Sequence, residues 1–210
     1  MKLARLLSCL ALMLVVGTGC ASFSRHRLPE VGELAPPADA ARAVSASYEF
    51  QWRTAVGSAG QLPEQFRQQV EKEFTDTLKE SGYFMPLRSG KGESVHIDAL
   101  VENYGNMGAA IAAGVVGGLS LTTIPVWATD GYRAKITVTA QEGAPKLYAL
   151  DDAVTTVIWL PLIVATPFAG PGRVSEHARK NMYKTLIQKM QLDGILPPAR
   201  PPAAPASPKP

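Results

Sequence analysis

The sequence has 210 residues, with 21 basic side chains, 18 acidic side chains and two cysteines. Removal of residues 1–19, which contain Lys2 and Arg5, would leave 19 basic against 18 acidic residues. This near-neutral balance lacks the basic excess that nucleic-acid binding requires, so we expect no nucleic-acid partner. Roughly 150 residues between the two terminal segments suffice for one domain with its own core.

Residues 1–20 have the pattern of a secretory leader that ends at a cysteine. Two basic residues precede an apolar run over residues 6–16, which is too short to span a hydrocarbon core of ~30 Å. Small residues then lead to Cys20. This pattern resembles the lipobox of bacterial lipoproteins, although Gly17 stands where leucine is usual.

The resemblance implies that residues 1–19 are a signal peptide and that the Cys20 thiol is modified. Cys20 would receive a diacylglycerol with fatty chains such as palmitate, become the first residue and attach the protein to a membrane. Ala21 next to it implies the outer membrane, with the domain facing the periplasm. Because Cys9 lies in the leader, the mature chain would have neither an intramolecular disulfide nor a cysteine metal site.

Both ends of the mature chain are rich in proline and small residues. Residues 20–42 have no sustained apolar period, which predicts a flexible tether between Cys20 and the domain. Residues 197–210 predict a disordered tail with extended geometry, and a ligand for a partner groove is the alternative. The folded domain is therefore expected over residues 43–196.

The domain begins with a strand and a helix. Residues 44–54 alternate apolar and polar side chains, which indicates a half-buried strand. Pro63 suits the first position of a helix, and Gly82 suits its end. Between them an apolar stripe recurs at every fourth residue, at Phe66, Val70, Phe74 and Leu78.

Three further strands and a second helix follow. Alternation predicts strands over residues 95–102, 132–140 and 146–160, the last with an interruption near Asp151 and Asp152. A second helix would end at Gly194. Its apolar stripe consists of Ala178, Met182, Leu186 and Met190.

The order β-α-β-β-β-α predicts an α+β fold, with a mixed or antiparallel sheet of about four strands and both helices on one face. This order, together with the leader, resembles the amino-terminal domain of TolB. Penicillin-binding-protein activators and the curli secretion lipoprotein are of similar type. The resemblance implies an envelope-assembly lipoprotein that binds other proteins and catalyses no reaction.

Residues 103–129 and 153–172 contain no charged side chain, and in each stretch a tryptophan lies close to a proline. One interpretation is that they pack on their own domain, with Trp127 and Trp159 as core aromatics. A second is that they form a surface for a membrane or partner, since Ala110, Gly114 and Gly118 have the small-residue spacing of closely packed helices. Such a helix could not span a bilayer.

A third interpretation is an oligomeric pore-forming lipoprotein with inserted hairpins, although residues 108–119 lack the alternation that such strands need. For the contact interpretation, Ile124, Trp127, Trp159 and Leu160 are the candidate anchors, because aromatic side chains dominate interface energetics.

The sequence contains no recognisable catalytic or metal-binding motif. His26, His96 and His177 lack ligand spacing to one another or to a carboxylate. Asp151 and Asp152 would point to opposite faces of a strand, so we expect a turn or a solvated edge there and no working carboxylate pair. We expect no catalytic residue, cofactor or metal, and an enzyme acting on peptidoglycan or envelope glycans is the alternative.

The sequence therefore predicts an outer-membrane lipoprotein with a non-enzymatic binding or accessory role in envelope assembly, secretion or transport. Its partners would be the membrane and an envelope protein. Neither the identity of that protein nor the oligomeric state follows from the sequence.

Overall fold

The computed structural model describes residues 19–54, 64–105, 107–120, 122–141 and 143–201, with only the backbone at residues 40 and 107–111. The described residues form one six-stranded sheet with the order β1-β6-β5-β4-β2-β3. The strands are β1 (Cys20–Ser24), β2 (Val44–Thr54), β3 (Phe84–Ser89), β4 (Val95–Gly105), β5 (Val126–Ala140) and β6 (Lys146–Ile158).

Two of the helices cover one face of the sheet. They are α1 (Glu64–Glu80) and α4 (Pro171–Leu192), which also contact each other. Helix α2 (Met107–Leu119) packs against β5, and the short helix α3 (Thr166–Ala169) lies beside β1. Short 3-10 helices span Ala40–Arg42 and Leu160–Val164.

The α+β class and the mixed sheet are confirmed, but the numbers of strands and helices were too low. Strands β4, β5 and β6 are antiparallel neighbours, β2 is parallel to both β3 and β4, and β1 is antiparallel to β6. The two missed strands, β1 and β3, are the edges of the sheet. Both are short, and Pro86 interrupts the pattern of β3, so neither shows a readable alternation.

The predicted apolar patterns form the core between the sheet and its two helices. Ile97, Ala99 and Val101 of β4 are fully buried, as are Ile136 and its apolar neighbours of β5. The helices present their predicted stripes to this surface. Fully or almost fully buried are Val70, Phe74 and Leu78 of α1, and Ala178, Met182, Leu186 and Met190 of α4.

Phe74 is at the centre of an aromatic cluster. Its ring centroid lies 5.2 Å from that of Phe50 and 5.2 Å from that of Tyr183, with the second pair edge to face. Beside this cluster the Arg179 guanidinium donates two hydrogen bonds to the Glu73 carboxylate, at 2.8 and 3.0 Å. Both residues are buried, so among the ion pairs of the described residues this is the one that solvent screens least.

The predicted ends of the two long helices are confirmed. Gly82 follows α1 with φ 73°, and Gly194 follows α4 with φ 74°. Glycine adopts this left-handed conformation without the steric penalty that a Cβ imposes. Pro63, the predicted start of α1, lies outside the described residues.

The flexible-tether prediction for residues 20–42 is wrong, because this segment packs on the domain. It begins as β1, and further along the buried Val31 donates its backbone N–H to Asn181 Oδ1 at 2.7 Å. Ala35 accepts a hydrogen bond of 2.8 Å from the Tyr83 hydroxyl. Side chains of distant elements thus satisfy its backbone, and such contacts leave no periodic pattern in the sequence.

The domain also extends past residue 196 into the segment predicted to be a tail. Ala199 forms a bridge with Pro37, and Arg200 donates its backbone N–H to Pro36 O at 2.8 Å. The remainder of the predicted tail, residues 202–210, and residues 1–18 of the predicted signal peptide lie outside the described residues.

Candidate contact surface around Cys20

Cys20 is the first residue of an edge strand and lies at one end of the sheet. Its neighbour across the sheet is Ile158 of β6, which in turn pairs with Val126 at the start of β5. The Cys20 N–H donates to Thr166 Oγ1 at 3.1 Å, and the same hydroxyl lies 2.9 Å from the Cys20 carbonyl oxygen. The predicted lipidation site is therefore held directly against the body of the domain.

Gly19 fits closely into the loop that follows β6. The Trp159 N–H donates to the Gly19 carbonyl at 2.8 Å. A Cβ added at Gly19 would lie 2.3 Å from the Ile163 nitrogen and 2.5 Å from the Trp159 oxygen. In the uncleaved chain the backbone therefore approaches Cys20 through a slot that has no room for a side chain. A mature chain that begins at Cys20 would lack Gly19 and these contacts.

The two uncharged stretches meet at this end of the sheet. Helix α2 packs on β5 so closely that a Cβ at Gly117 would lie 3.3 Å from Val126 Cγ2. Leu160 donates its N–H to Thr122 O at 2.9 Å, and Trp159 Nε1 donates to Thr123 O at 3.1 Å. We call this surface the apolar cap and define it as α2 together with residues 122–127 and 159–169.

Most of the predicted anchors are exposed on the cap. Trp127 is 65% exposed, Ile124 54% and Trp159 38%, while Leu160 is half-buried. The interpretation of the two tryptophans as core aromatics is therefore wrong, because neither side chain is buried. Further exposed apolar residues of the cap, which the sequence did not single out, are Val115, Val116, Leu119, Ile163, Val164 and Phe168.

Residues 107–119 form a helix, so this segment does not supply the hairpin that the pore interpretation needs. Gly114 and Gly118 lie on its exposed side, whereas Gly117 faces β5. The side chain of Ala110 lies outside the described part. Within the described ranges, no helix has both the length and the apolar character needed to cross a membrane.

The face of the sheet that α1 and α4 do not cover, which we call the open face, has a polar cluster. The cluster lies near the end of β1. Tyr104 donates to Asp151 Oδ2 at 2.5 Å and accepts a hydrogen bond of 2.7 Å from Arg27, which also pairs with Asp151. Arg133 lies 3.5 Å from the same carboxylate, with its guanidinium over the Tyr104 ring. Gly131 permits this arrangement, because a Cβ there would lie 2.4 Å from that ring.

These contacts shift the pKa values in the cluster. Burial alone would raise the pKa of Asp151, but the hydrogen bonds from Tyr104 and Arg27 lower it further than burial raises it. Burial and the neighbouring carboxylate raise the pKa of Tyr104, and the hydrogen bond to Asp151 raises the pKa of Arg27. Every charged group here has a partner of opposite charge, which is typical of a structural network.

The prediction of a turn or solvated edge at Asp151 and Asp152 is wrong. Strand β6 continues through both residues, which point to opposite faces. Asp152 is buried, and its Oδ1 accepts hydrogen bonds from the backbone N–H groups of Arg27 and Ala153 at 3.2 and 2.8 Å. Because the segment after β1 supplies one donor, sequence spacing alone could not reveal this role.

The histidines lie apart from one another. His96 Nδ1 is 3.0 Å from Ser47 Oγ, and His177 Nε2 is 3.3 Å from Glu30 Oε1 at an exposed position. His26 lies just after β1. Across the part of the chain with described coordinates, no group of three or more His, Cys, Asp or Glu residues could hold a metal ion.

Comparisons with known proteins give structural similarities only. No family model matches the chain, and no curated protein matches its sequence. Protein XCC0632 of Xanthomonas campestris, from family DUF330, is similar at 12% identity with a TM-score of 0.37, over 79% of this chain and 94% of that one.

A PelC dodecamer from Paraburkholderia phytofirmans is similar at 12% identity with a TM-score of 0.29, over 76% of this chain and 97% of that one. A second crystal form of PelC gives 11% identity and a TM-score of 0.27 over the same shares. Likenesses this distant carry no argument about function, and the resemblance to TolB stays a prediction.

Proposed function

We propose that this chain is an outer-membrane lipoprotein, anchored through acylated Cys20 and facing the periplasm. It acts as a non-enzymatic binding or accessory component in envelope assembly, secretion or transport. The cap residues Ile124, Trp127, Trp159 and Leu160 form its contact surface toward a membrane or an envelope protein.

One observation carries the proposal: the cysteine of the lipobox lies at the same end of the domain as the uncharged, exposed surface. The two features are independent in sequence, since the stretches that form the cap begin 83 and 133 residues after Cys20. An exposed apolar patch of this kind is typical of a surface that contacts a membrane or a protein.

Mass analysis of the amino-terminal peptide tests the anchor. We expect the mature protein to begin at Cys20 with a mass increased by acyl chains, and to fractionate with outer membranes. The control variant Cys20→Ser keeps a side chain of similar size but cannot form the thioether, so it should carry no lipid. A protein recovered from the cytosol with residues 1–19 intact and an unmodified thiol would refute the anchor.

Crosslinking in intact cells tests the accessory role. After affinity purification of the lipidated protein, we expect an envelope protein to be recovered reproducibly, and its yield to fall in Cys20→Ser because the anchor sets the location. If the anchor is present but no envelope protein is enriched over an unrelated lipoprotein, the accessory role is wrong.

A further inference from the structure

We infer that the apolar cap lies on the lipid leaflet itself, with Trp127 and Trp159 at the level of the headgroups. This deepens the proposed function, on which it rests for the acyl chains at Cys20. The surface thereby belongs to the membrane, and a protein partner would have to bind elsewhere on the domain.

The first step is the position of Cys20. Its backbone is paired with Ile158 in the sheet and hydrogen-bonded to Thr166, so no flexible segment separates the acylated residue from the cap. Fatty chains attached to Cys20 enter a leaflet within a few side-chain lengths of this residue. The leaflet must then lie against the neighbouring parts of the domain, which are residues 159–169.

The second step is the distribution of exposed apolar side chains. Among the described residues, the exposed large hydrophobic side chains outside the cap are Phe23, Met85, Leu147 and Leu192. Phe23 lies on β1 beside the cap, and the other three are single residues elsewhere on the domain. One end of the molecule thus holds a contiguous apolar surface, and no other described surface has an equivalent.

The third step separates a leaflet from a protein as the occupant. Protein interfaces combine an apolar centre with a polar rim and regularly spaced hydrogen bonds. The side chains of residues 107–119 are all aliphatic or methionine apart from the glycines, and residues 159–169 offer a single hydroxyl, Thr166, which Cys20 already occupies. Residues 122–127 add the hydroxyls of Thr122 and Thr123, and that of Thr123 donates to Ser120 O at 2.6 Å. A surface with so few free polar groups matches lipid better than a protein.

The fourth step is the geometry of the cap. Helix α2 has 13 residues and is therefore only ~20 Å long, which is too short to cross a hydrocarbon core of ~30 Å. It can lie along the interface, where tryptophan is enriched because its ring is apolar and its N–H is polar. Trp159 keeps that N–H bonded to Thr123 O, which fixes the orientation of its ring.

The absence of charge predicts how this contact behaves. The cap contains no Lys or Arg of its own, and the charged residues that border its segments along the chain are Glu102, Asp130, Asp152 and Arg173. Arg173 lies at the rim, where its guanidinium donates to Pro167 O at 3.0 Å. Peripheral proteins that bind through basic residues depend on anionic lipid and are released by salt. Contact through the cap, which has a single guanidinium at its rim, should depend only weakly on either.

Quenching of tryptophan fluorescence by brominated lipid tests the inference. The full chain contains three tryptophans, so double Trp→Phe variants leave one reporter each at position 52, 127 or 159. Each protein is purified from membranes in detergent and reconstituted into phosphatidylcholine vesicles with bromine near the headgroup end of the acyl chains. We expect positions 127 and 159 to lose about half of their emission or more, and position 52, whose ring nitrogen is buried, to lose little.

The expected quenching changes little when phosphatidylglycerol or salt is added. If the protein floats with the vesicles while positions 127 and 159 stay unquenched, the inference is wrong, whether the cap is bare or covered by a second copy. Amino-terminal mass analysis of the same sample separates the two proposals. Quenching without acyl chains overturns the anchor alone, and acyl chains without quenching overturn the cap contact alone.

A matched pair of charge variants provides a second readout. Val164 on the cap and Leu147 at the far end of β6 are both strongly exposed, at 76% and 68%, so neither change should unfold the domain. Val164→Glu places a charge into the leaflet and should reduce the quenching at position 159 severalfold. Leu147→Glu should leave it unchanged. Equal quenching in the two variants would contradict the inference.

Discussion

The helix-covered face of the sheet and the apolar cap contain similar residues with opposite environments. On the covered face, Phe74 and Leu186 are fully buried between sheet and helices. On the cap, Phe168 and Leu119 are more than four-fifths exposed. The covered face therefore supplies the stability of the domain, whereas the cap keeps apolar surface that folding does not use.

The two regions also differ in how they use polar groups. The covered face includes the buried Glu73–Arg179 pair, in which each charge depends on the other. The cap contains no charged residue, and some of its backbone carbonyls accept hydrogen bonds from within the cap, as Thr123 O does from Trp159 Nε1. The comparison teaches that an apolar side chain is not by itself evidence of a core position. The core consists of those apolar side chains that the helices cover.

The largest effect is expected from breaking the buried ion pair. Arg179→Met leaves the Glu73 carboxylate buried without a partner, which should lower the free energy of unfolding by about 3–5 kcal/mol. Urea denaturation of the full chain measures this value. Arg67→Met is the control, because Arg67 pairs with Glu64 and Glu71 at an exposed position and should cost less than about 1 kcal/mol.

The double variant Glu73→Leu/Arg179→Met removes both charges and should recover most of the loss. If the Arg179→Met and Arg67→Met proteins have equal free energies of unfolding, the buried pair stabilises the domain no more than an exposed pair does.

The same substitution in the two regions makes the comparison direct. Phe74→Ala opens a cavity within the aromatic cluster and should cost about 3–5 kcal/mol of unfolding free energy. Phe168→Ala, on the cap, should change it by less than about 0.5 kcal/mol. Thermal or urea unfolding gives both values, and comparable losses would mean that the cap belongs to the core.

A smaller effect is expected where the cap holds the anchor residue. Thr166→Val removes the hydroxyl that bonds the Cys20 backbone and should cost about 1 kcal/mol. Hydrogen exchange at the amides of β1 should become faster while exchange in β4 stays unchanged. Thr166→Ser retains the hydroxyl as a control. If the amides of β1 exchange at similar rates in both variants, the Thr166 hydroxyl does not hold Cys20 in place.

The smallest effect is a pH dependence on the open face of the sheet. Because the folded state lowers the pKa of Asp151, its contribution is complete above the ordinary carboxyl value of ~3.9 and is lost as the pH falls further. The Asp151 side chain is 35% exposed, so solvent screening keeps this contribution below about 1 kcal/mol.

Unfolding free energies between about pH 5 and pH 3 measure this contribution. Asp151→Asn should flatten the profile in that range. An unchanged profile in the variant would mean that other carboxyl groups account for the acid sensitivity.

The periodic elements could be predicted because the information they need is local. The alternation in β2 and β4 and the four-residue stripes of α1 and α4 reflect the geometry of a single element. Asp151, Asp152 and the edge strands could not be predicted in this way, because their partners are far away in the sequence. Arg27 and Tyr104, for example, reach Asp151 across 124 and 47 residues.

The sequence by itself determined the leader pattern that ends at Cys20, the α+β class, the periodic apolar stripes of the core and the two stretches without charge. Only the tertiary structure decided that these stretches join, that Trp127 and Trp159 are exposed, and that Cys20 is a strand residue beside them. The physical reason is that periodicity records which face of an element is buried, whereas the meeting of distant segments depends on sheet order and edge pairing, which leave no local signal.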